Sequence, residues 1–299
     1  MRKFLIKLAF FILPPIIILV LSEIFINNFL NNNSFYKIND SSNILILGNS
    51  HSECALNDSV IDHSINLSNA ADCYFYTYYK LKKIIEANPN IHTLILEYTN
   101  IDFSKEMDIW LYGEKYLVCK YPKYSHLISI QDKMFLFHKN PGAYFNACKD
   151  ALMEKVLFLF DSNIQAYKKL DWGGYLYLER NEIPKIKKEF QKSDVPKSNS
   201  ISTFNIVYLK KIVNYCKANN IKLIFFRSPL HILYKRCYET ELTNLLKKDF
   251  YNITFWDYSN YSFEDYEYGD LEHLNYKGAK RFSKVINLRL NQDSKSIQE

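Results

Sequence analysis

Short apolar runs alternate along the chain with stretches whose apolar residues recur at helical spacing. The runs have the length of buried strands and lie at residues 44–47, 93–96, 221–226 and 253–256, and residues 64–67 are a further short strand candidate. The helical stretches lie beside them, at residues 74–87, 204–218, 239–248 and 277–290. Strands that alternate with helices favour a parallel sheet covered on both faces. The pattern therefore predicts a flavodoxin-like three-layer α/β/α fold with a parallel sheet of about five strands.

The alternation stops between about residues 101 and 200, where aromatic residues are frequent and no sheet period is visible. Stretches of helical spacing remain, so we predict a helix-rich insertion over the carboxyl edge of the sheet. Long insertions at that edge usually carry function. A helical cap without any contact to a ligand is the alternative interpretation.

The N-terminal residues have the pattern of a transmembrane helix. An apolar segment extends from about residue 4 to residue 30, and a bilayer needs ~20 residues. Arg2, Lys3 and Lys7 lie at its start, and Asn-rich sequence follows it. The positive-inside rule predicts a single-pass protein of the cytoplasmic membrane, with the N-terminus in the cytoplasm and the main domain outside. A cleaved signal peptide is the alternative, but no Ala-x-Ala-like site follows the apolar core.

These patterns predict the domain organisation. Residues 1–30 form a transmembrane anchor, residues 31–42 a polar linker, and residues 43–299 one α/β domain that contains the insertion. With 299 residues, 48% of them hydrophobic, the chain is long enough for one substantial core. The net charge of +6 is dispersed, which argues against nucleic acid as a partner. No Cys-x-x-Cys pair occurs among the six cysteines, and the histidines are scattered, so no metal site is predicted.

The first predicted strand ends at a turn that suits a nucleophile. Gly48 follows the strand, and its conformational freedom would let the chain turn sharply there. Ser50 then lies at the carboxyl end of a strand, where open α/β sheets bind ligands. Asp270 and His273 occur three residues apart in a predicted loop. A serine needs a base and the base needs a carboxylate, so these residues form a candidate triad; the alternative is a turn serine and an unrelated surface pair.

The two blocks resemble those of the SGNH (GDSL-like) hydrolase superfamily. Residues 48–51, Gly-Asn-Ser-His, are similar to the family's first block in its Gly-x-Ser-His variant. Residues 270–275, Asp-Leu-Glu-His-Leu-Asn, are similar to its last block. The Ser-His form resembles that of membrane-anchored members that acylate cell-envelope polymers, including alginate-acetylation and DltD-type proteins. The resemblance covers about residues 43–100 and 203–291 and implies the same fold.

The resemblance implies a mechanism in which Ser50 is the nucleophile, His273 the general base and Asp270 the carboxylate that orients it. The expected activity is that of an extracytoplasmic acyl esterase or O-acyltransferase. It would act through an acyl-enzyme on acyl esters, acetyl above all, of a cell-envelope carbohydrate. No soluble cofactor is implied. The lipid bilayer is one expected partner, and a multi-spanning acyl-transfer membrane protein is another by family analogy.

The candidate oxyanion donors depart from the family's pattern. The family uses the N–H of the nucleophile, a glycine of its second block and an asparagine of its third. Asn100 matches the asparagine, although the usual Gly-x-Asn-Asp is absent. The second block falls near residues 67–70, which contain no glycine, so Asn69 or Ala70 would have to supply a backbone N–H. These departures favour a second hypothesis, a glycan-binding or assembly subunit with a vestigial site, and a plain esterase or lipase is a third.

Two further residues are candidate substrate ligands. His51 has no part in the triad, and it either contacts the substrate or holds the turn. Arg227 ends the fourth predicted strand at the same edge of the sheet, where a cation would meet an anionic glycan. The alternative for Arg227 is a solvated side chain, which is the more frequent state of an arginine.

Overall fold

A parallel sheet of five strands forms the centre of the structure. The computed structural model describes residues 27–160, 172–189 and 201–295, with a few positions between residues 7 and 25. The strands are β1 (Ile44–Leu47), β2 (Ser64–Asn66), β3 (Thr93–Glu97), β4 (Lys222–Arg227) and β5 (Thr254–Asp257). Their order is β2-β1-β3-β4-β5, and all neighbouring pairs are parallel. The predicted α/β class and five-stranded parallel sheet are confirmed, with each strand boundary within one residue of its predicted position.

Helices connect the strands and fill the segment between β3 and β4. The described helices are α1 (Ser50–Ala55), α2 (Tyr74–Ala87), α3 (Ile109–Tyr112), α4 (Glu114–Tyr124), α5 (Ile130–Lys139), α6 (Pro141–Phe160), α7 (Ile183–Glu189), α8 (Thr203–Ala218), α9 (Glu239–Asp249) and α10 (Tyr276–Lys295). The four helices predicted from spacing correspond to α2, α8, α9 and α10. Parallel strands need such crossover connections, because a tight hairpin can join only antiparallel neighbours.

Two apolar clusters cover the two faces of the sheet. Leu45 of β1 packs in one cluster with side chains of α2, α8 and α9. Ile46, the next residue of the same strand, packs in the other cluster with side chains of α1 and α10. Successive strand residues point to opposite faces, so a continuous apolar run supplies both cores. This arrangement agrees with the predicted three layers and directs the carboxyl ends of all five strands to one edge.

The described part of the predicted insertion is helical over most of residues 101–160, and it reaches the carboxyl edge of the sheet. Helix α4 packs against α2 and α6. The ammonium of Lys120 in α4 contacts Asp72 in the loop after β2, 2.7 Å from its carboxylate. Residues 161–171 and 190–200 of the predicted insertion lie outside the described residues.

The stretch predicted as a linker packs against the α/β domain. Asn33–Tyr36 form a short 3-10 helix, and Tyr36 is buried. The Tyr36 hydroxyl lies 2.5 Å from Nε2 of His126, and the ammonium of Lys83 donates to the carbonyl of Asn31 at 2.6 Å. Asn and Ser dominate residues 31–42, so the sequence predicted a polar linker. The buried side chain of Tyr36 nevertheless packs this segment against the domain.

Most of the predicted membrane anchor, which comprises residues 1–30, lies outside the described residues. Within the residues that are described, no helix has both the length and the apolar character needed to cross a bilayer. The transmembrane anchor therefore stays a prediction from sequence.

Candidate active site

The turn after β1 is fixed by crowding around Gly48. A Cβ atom at this position would lie 2.5 Å from Cβ of Glu97 and 2.8 Å from Oγ of Ser52. The backbone of Gly48 does not adopt a positive φ, so the expected need for unusual backbone angles is wrong. Glycine is required here because Glu97 of β3 and Ser52 of α1 leave no space for a side chain. The close packing brings the start of α1 directly over the sheet edge.

Ser50 is the first residue of α1, and Asn49 caps that helix. The Asn49 side-chain oxygen accepts a hydrogen bond from the N–H of His51 at 2.9 Å, and its amide nitrogen donates to Asp102 at 3.0 Å. Such caps stabilise a helix start by satisfying an otherwise unpaired N–H. Burial raises the pKa of the Asp102 carboxyl to about 7. The orientation of the turn that carries Ser50 therefore depends on a buried side-chain pair beneath it.

A second buried carboxyl lies behind the same turn. Glu97, the last residue of β3, accepts a hydrogen bond from the hydroxyl of Ser52 and lies within hydrogen-bond distance of Ser228. Burial raises its pKa to about 8, so the carboxyl is protonated at neutral pH. A neutral Glu97 can both donate and accept, which suits a position between two hydroxyls.

Ser50, His273 and Asp270 form a continuous line of hydrogen bonds. Nε2 of His273 lies 2.9 Å from Oγ of Ser50. Its other ring nitrogen, Nδ1, lies 2.8 Å and 3.0 Å from the two carboxylate oxygens of Asp270. The side chains of His273 and Asp270 are each 17% exposed, so the pair is shielded but reachable. The structure thus brings together Ser50 and His273, which are more than 220 positions apart in the sequence.

Asp270 is held as a carboxylate by its neighbours. Burial alone would raise its pKa, but hydrogen bonds from His273, the N–H of Glu272 and the guanidinium of Arg180 outweigh it. The net effect places the pKa of Asp270 well below its ordinary range. Arg180 contacts Oδ2 of Asp270. The backbone N–H groups of Glu272 and His273 each donate to Oδ1 of the same carboxylate at 2.9 Å. An ionised, fixed carboxylate is the state that orients an imidazole.

Arg180 belongs to an extended segment, residues 172–182, that we call the strap. The strap runs along the site, and Gly173 at its start has a φ of 107° and packs against the backbone of Ser68. Four backbone hydrogen bonds fix the strap: Gly174 to Ser68, Leu176 to Glu53, Tyr276 to Leu178, and Glu182 to Gly269, all between 2.8 and 2.9 Å. Sequence reasoning did not find Arg180, because the strap has no periodicity and its partner lies 90 residues away.

His51 is buried beside His273 and does not face open solvent. Its Nε2 lies 3.3 Å from a carboxylate oxygen of Glu272, and its ring meets the ring of His273 edge-on at 5.2 Å. Burial lowers the pKa of His51, so its ring is neutral at neutral pH. His51 was predicted either to contact the substrate or to hold the turn. The second role fits this position better, because the contact with Glu272 links α1 to the loop that carries His273.

The buried ammonium of Lys120 holds the loop after β2 through hydrogen bonds. The N–H of Asn69 donates to the carbonyl of Gly48 at 3.1 Å, while its side-chain oxygen accepts from Lys120. Lys120 also donates to the carbonyl of Ala70 at 2.6 Å. Both groups of Asn69 are thus engaged in holding the loop beside the nucleophile turn. Ala71, the next residue but one, adopts a φ of 57°, which is uncommon for a residue other than glycine.

The side chains of Asn100 and Arg227 are engaged by other residues, so they are less available to a substrate than the sequence suggested. The Asn100 amide donates to the carbonyl of Cys237. Arg227 is only 4% exposed, and its guanidinium pairs with Asp257 at 2.9 Å and with Glu239 at 2.9 Å. The predicted role of Arg227 as a substrate ligand does not fit this geometry. The cause is the register of β4 and β5, which places Asp257 directly beside Arg227.

Comparison with known proteins adds a family match to the C-terminal part of the chain. The model of a family of unknown function matches residues 176–295. This region contains Arg180, Asp270 and His273, and Ser50 lies outside it. None of the curated proteins is similar enough in sequence to match the chain. Among the residues that the structure describes, no group of three or more His, Cys, Asp or Glu side chains is arranged to hold a metal ion.

Proposed function

We propose that this protein is an SGNH-type serine esterase or O-acyltransferase that acts on acyl esters of a carbohydrate. The observation that carries the proposal is the unbroken hydrogen-bond line from Asp270 through His273 to Ser50. The proposal is also supported by the position of Ser50 at the carboxyl edge of a parallel sheet. The resemblance of the two sequence blocks supplies the substrate class.

The proposed reaction begins when Oγ of Ser50 attacks the acyl carbonyl carbon. Nε2 of His273 accepts the hydroxyl proton, and the ionised Asp270 stabilises the imidazolium that forms. Collapse of the tetrahedral intermediate breaks the ester bond, and the imidazolium returns its proton to the departing alcohol. Water or a carbohydrate hydroxyl then attacks the acyl-enzyme with His273 again as base, which releases the acid or a new ester and restores Ser50.

We assign the oxyanion to the backbone N–H groups of Ser50 and Ala71. The N–H of a first helical residue has no partner within its own helix. The carbonyl of Ala70 points toward Lys120, and the C=O and N–H of a trans peptide point in opposite directions, so the N–H of Ala71 is directed away from Lys120. Asn69 and Asn100 are weaker candidates for the oxyanion donors, because the backbone N–H of Asn69 donates to the carbonyl of Gly48 and the amide of Asn100 donates to the carbonyl of Cys237.

The test uses the full-length protein with p-nitrophenyl acetate as acyl donor. Nitrophenolate release should exceed the uncatalysed rate, and added oligosaccharides should be acetylated if the enzyme is a transferase. Free acetate as the sole product would identify an esterase. A vestigial binding subunit predicts neither product, whereas the intact hydrogen-bond line has the geometry that an active esterase requires.

We further propose that the active site lies outside the cytoplasmic membrane, anchored by residues 1–30. The charge asymmetry around the apolar segment motivates this orientation. A C-terminal alkaline phosphatase fusion, which is active only outside the cytoplasm, should show high activity. A β-galactosidase fusion at the same position should show little. The opposite pattern would refute the orientation, and release of the protein into the soluble fraction would refute the anchor.

A further inference from the structure

Three tyrosines form an exposed aromatic surface next to the candidate triad. Tyr177 of the strap stacks on Tyr276, with ring centroids 4.7 Å apart and planes inclined by 22°. The ammonium of Lys277 lies 5.8 Å from the Tyr276 ring centroid and 5.7 Å from that of Tyr266. Tyr177 is 56% exposed and Tyr266 is 57% exposed. We call this surface the tyrosine platform.

The platform is rigidly joined to the loop that carries the base. Tyr276 begins α10 only three residues after His273, and its N–H donates to the carbonyl of Leu178 in the strap at 2.9 Å. The Leu178 side chain packs so closely on Gly269 that a Cβ there would lie 2.4 Å from it. The strap also carries Arg180, which contacts Asp270. Tyr276 therefore lies three residues from His273, and Tyr177 lies on the segment whose Arg180 contacts Asp270.

The exposure of this surface has no packing explanation. One face of Tyr177 covers Tyr276, and much of the remainder of the ring is open to water, although burying it would stabilise the fold. A contiguous aromatic surface of this kind marks a binding site more often than a random surface does. Its rings offer flat apolar faces, while their hydroxyls and the ammonium of Lys277 offer hydrogen bonds at the edges.

We infer that the tyrosine platform is the subsite that binds a sugar ring of the carbohydrate substrate. This inference rests on the proposed function and names where that substrate lies. A pyranose ring has an apolar C–H face and a rim of hydroxyls, which matches a flat aromatic ring with polar groups at its edge. An acyl chain would need an enclosed apolar groove instead, and the platform is open. The sugar stacks on Tyr177, and the ester on a neighbouring position reaches Ser50.

The test measures two substrates with the full-length protein and its Tyr177 variants. Partly O-acetylated hexasaccharides of glucose, mannose and N-acetylglucosamine serve as carbohydrate esters, and p-nitrophenyl acetate serves as an ester without a sugar. Tyr177→Ala should raise KM for at least one hexasaccharide ester about tenfold, which corresponds to one lost stacking contact. Its effect on p-nitrophenyl acetate should be at least fivefold smaller. Tyr177→Phe should retain most of the affinity. Tyr251→Ala, which removes a tyrosine elsewhere that is 80% exposed, should change the kinetics of neither substrate.

Equal losses on both substrates, or an unchanged KM for every hexasaccharide ester, would overturn the inference. A direct binding measurement separates this failure from failure of the proposed function. Saturation-transfer NMR with the Ser50→Ala protein and the same hexasaccharides should show contacts that Tyr177→Ala removes. Contacts without any ester cleavage by the native protein would refute the enzyme and keep the sugar subsite. Absence of contacts with all three sugars would refute the subsite.

Discussion

Replacement of Ser50 by alanine is expected to lower ester turnover by at least about 10³-fold. The reason is that no other group in the site can form the acyl-enzyme, and loss of a serine nucleophile elsewhere costs as much or more. The Ser50 hydroxyl contacts His273 and is partly exposed, so its removal should change the free energy of unfolding by less than about 1 kcal/mol. The measurement is turnover of p-nitrophenyl acetate together with a thermal unfolding curve of the same sample.

A matched control is Ser59→Ala, which removes the hydroxyl of an exposed turn serine that bonds only within its own turn. This variant should keep native turnover and native stability. Turnover by Ser50→Ala that equals the native rate would exclude Ser50 as the nucleophile. A loss that accompanies unfolding would instead mean that the hydroxyl holds the turn.

Replacement of His273 or Asp270 should produce the second large loss of ester turnover. His273→Ala is expected to lower turnover about as much as Ser50→Ala, since the serine would lose its proton acceptor. Asp270→Asn keeps the size of the side chain, removes its charge and favours the wrong imidazole tautomer, which costs about 10⁴-fold in serine proteases. We expect a loss of roughly 10²- to 10⁴-fold here, and Arg180 would also lose its ionic partner. The double variant should be little worse than His273→Ala alone, because the residues act as a unit.

The pH dependence follows from the protonation states of the pair. The pKa of Asp270 is held well below its ordinary range, so this carboxylate stays ionised wherever histidines titrate. Only a neutral imidazole can accept the proton of Ser50, so turnover should fall as the pH is lowered into the acid range. Turnover that is flat from pH 5 to pH 8 would contradict histidine as the base.

A matched control exists for the carboxylate. Asp265 also pairs with a histidine, His231, at 3.1 Å, and it also contacts a cation, Lys187. Asp265→Asn therefore makes the same chemical change in a similar pair that does not touch Ser50. It should leave turnover within about twofold of the native rate. Equal losses in Asp265→Asn and Asp270→Asn would point to a general effect on this part of the fold and not to catalysis.

Most of the fold could be predicted because its strands are buried on both faces. Residues 44–47 and 94–96 are apolar throughout, as expected for strands that are covered by helices on both faces of the sheet. The strand ends followed from Gly48 and from Asn-rich turns. The docking of residues 31–42 did not follow, because the composition of that stretch gives no indication that Tyr36 finds a buried partner.

The triad could be predicted because its residues lie in two short blocks with recognisable spacing. The groups around it could not, because their roles depend on partners far away in the sequence. Arg227 was expected at the substrate cleft, yet β5 supplies Asp257 to neutralise it. No motif marks Lys120 or Arg180 in the sequence, yet Lys120 holds the loop after β2 and Arg180 contacts Asp270. The positive φ of Ala71 leaves no trace in the sequence at all.

Covalent labelling by a fluorophosphonate, which reacts with activated serines, tests the central claim most directly. The full-length native protein is treated, digested and mapped by mass spectrometry. We predict one adduct, on the peptide that contains Ser50, with labelling greatly slowed in His273→Ala and absent in Ser50→Ala. Labelling that persists unchanged in Ser50→Ala, or a native protein in which Ser50 stays unmodified while a general serine hydrolase control reacts, would contradict the account.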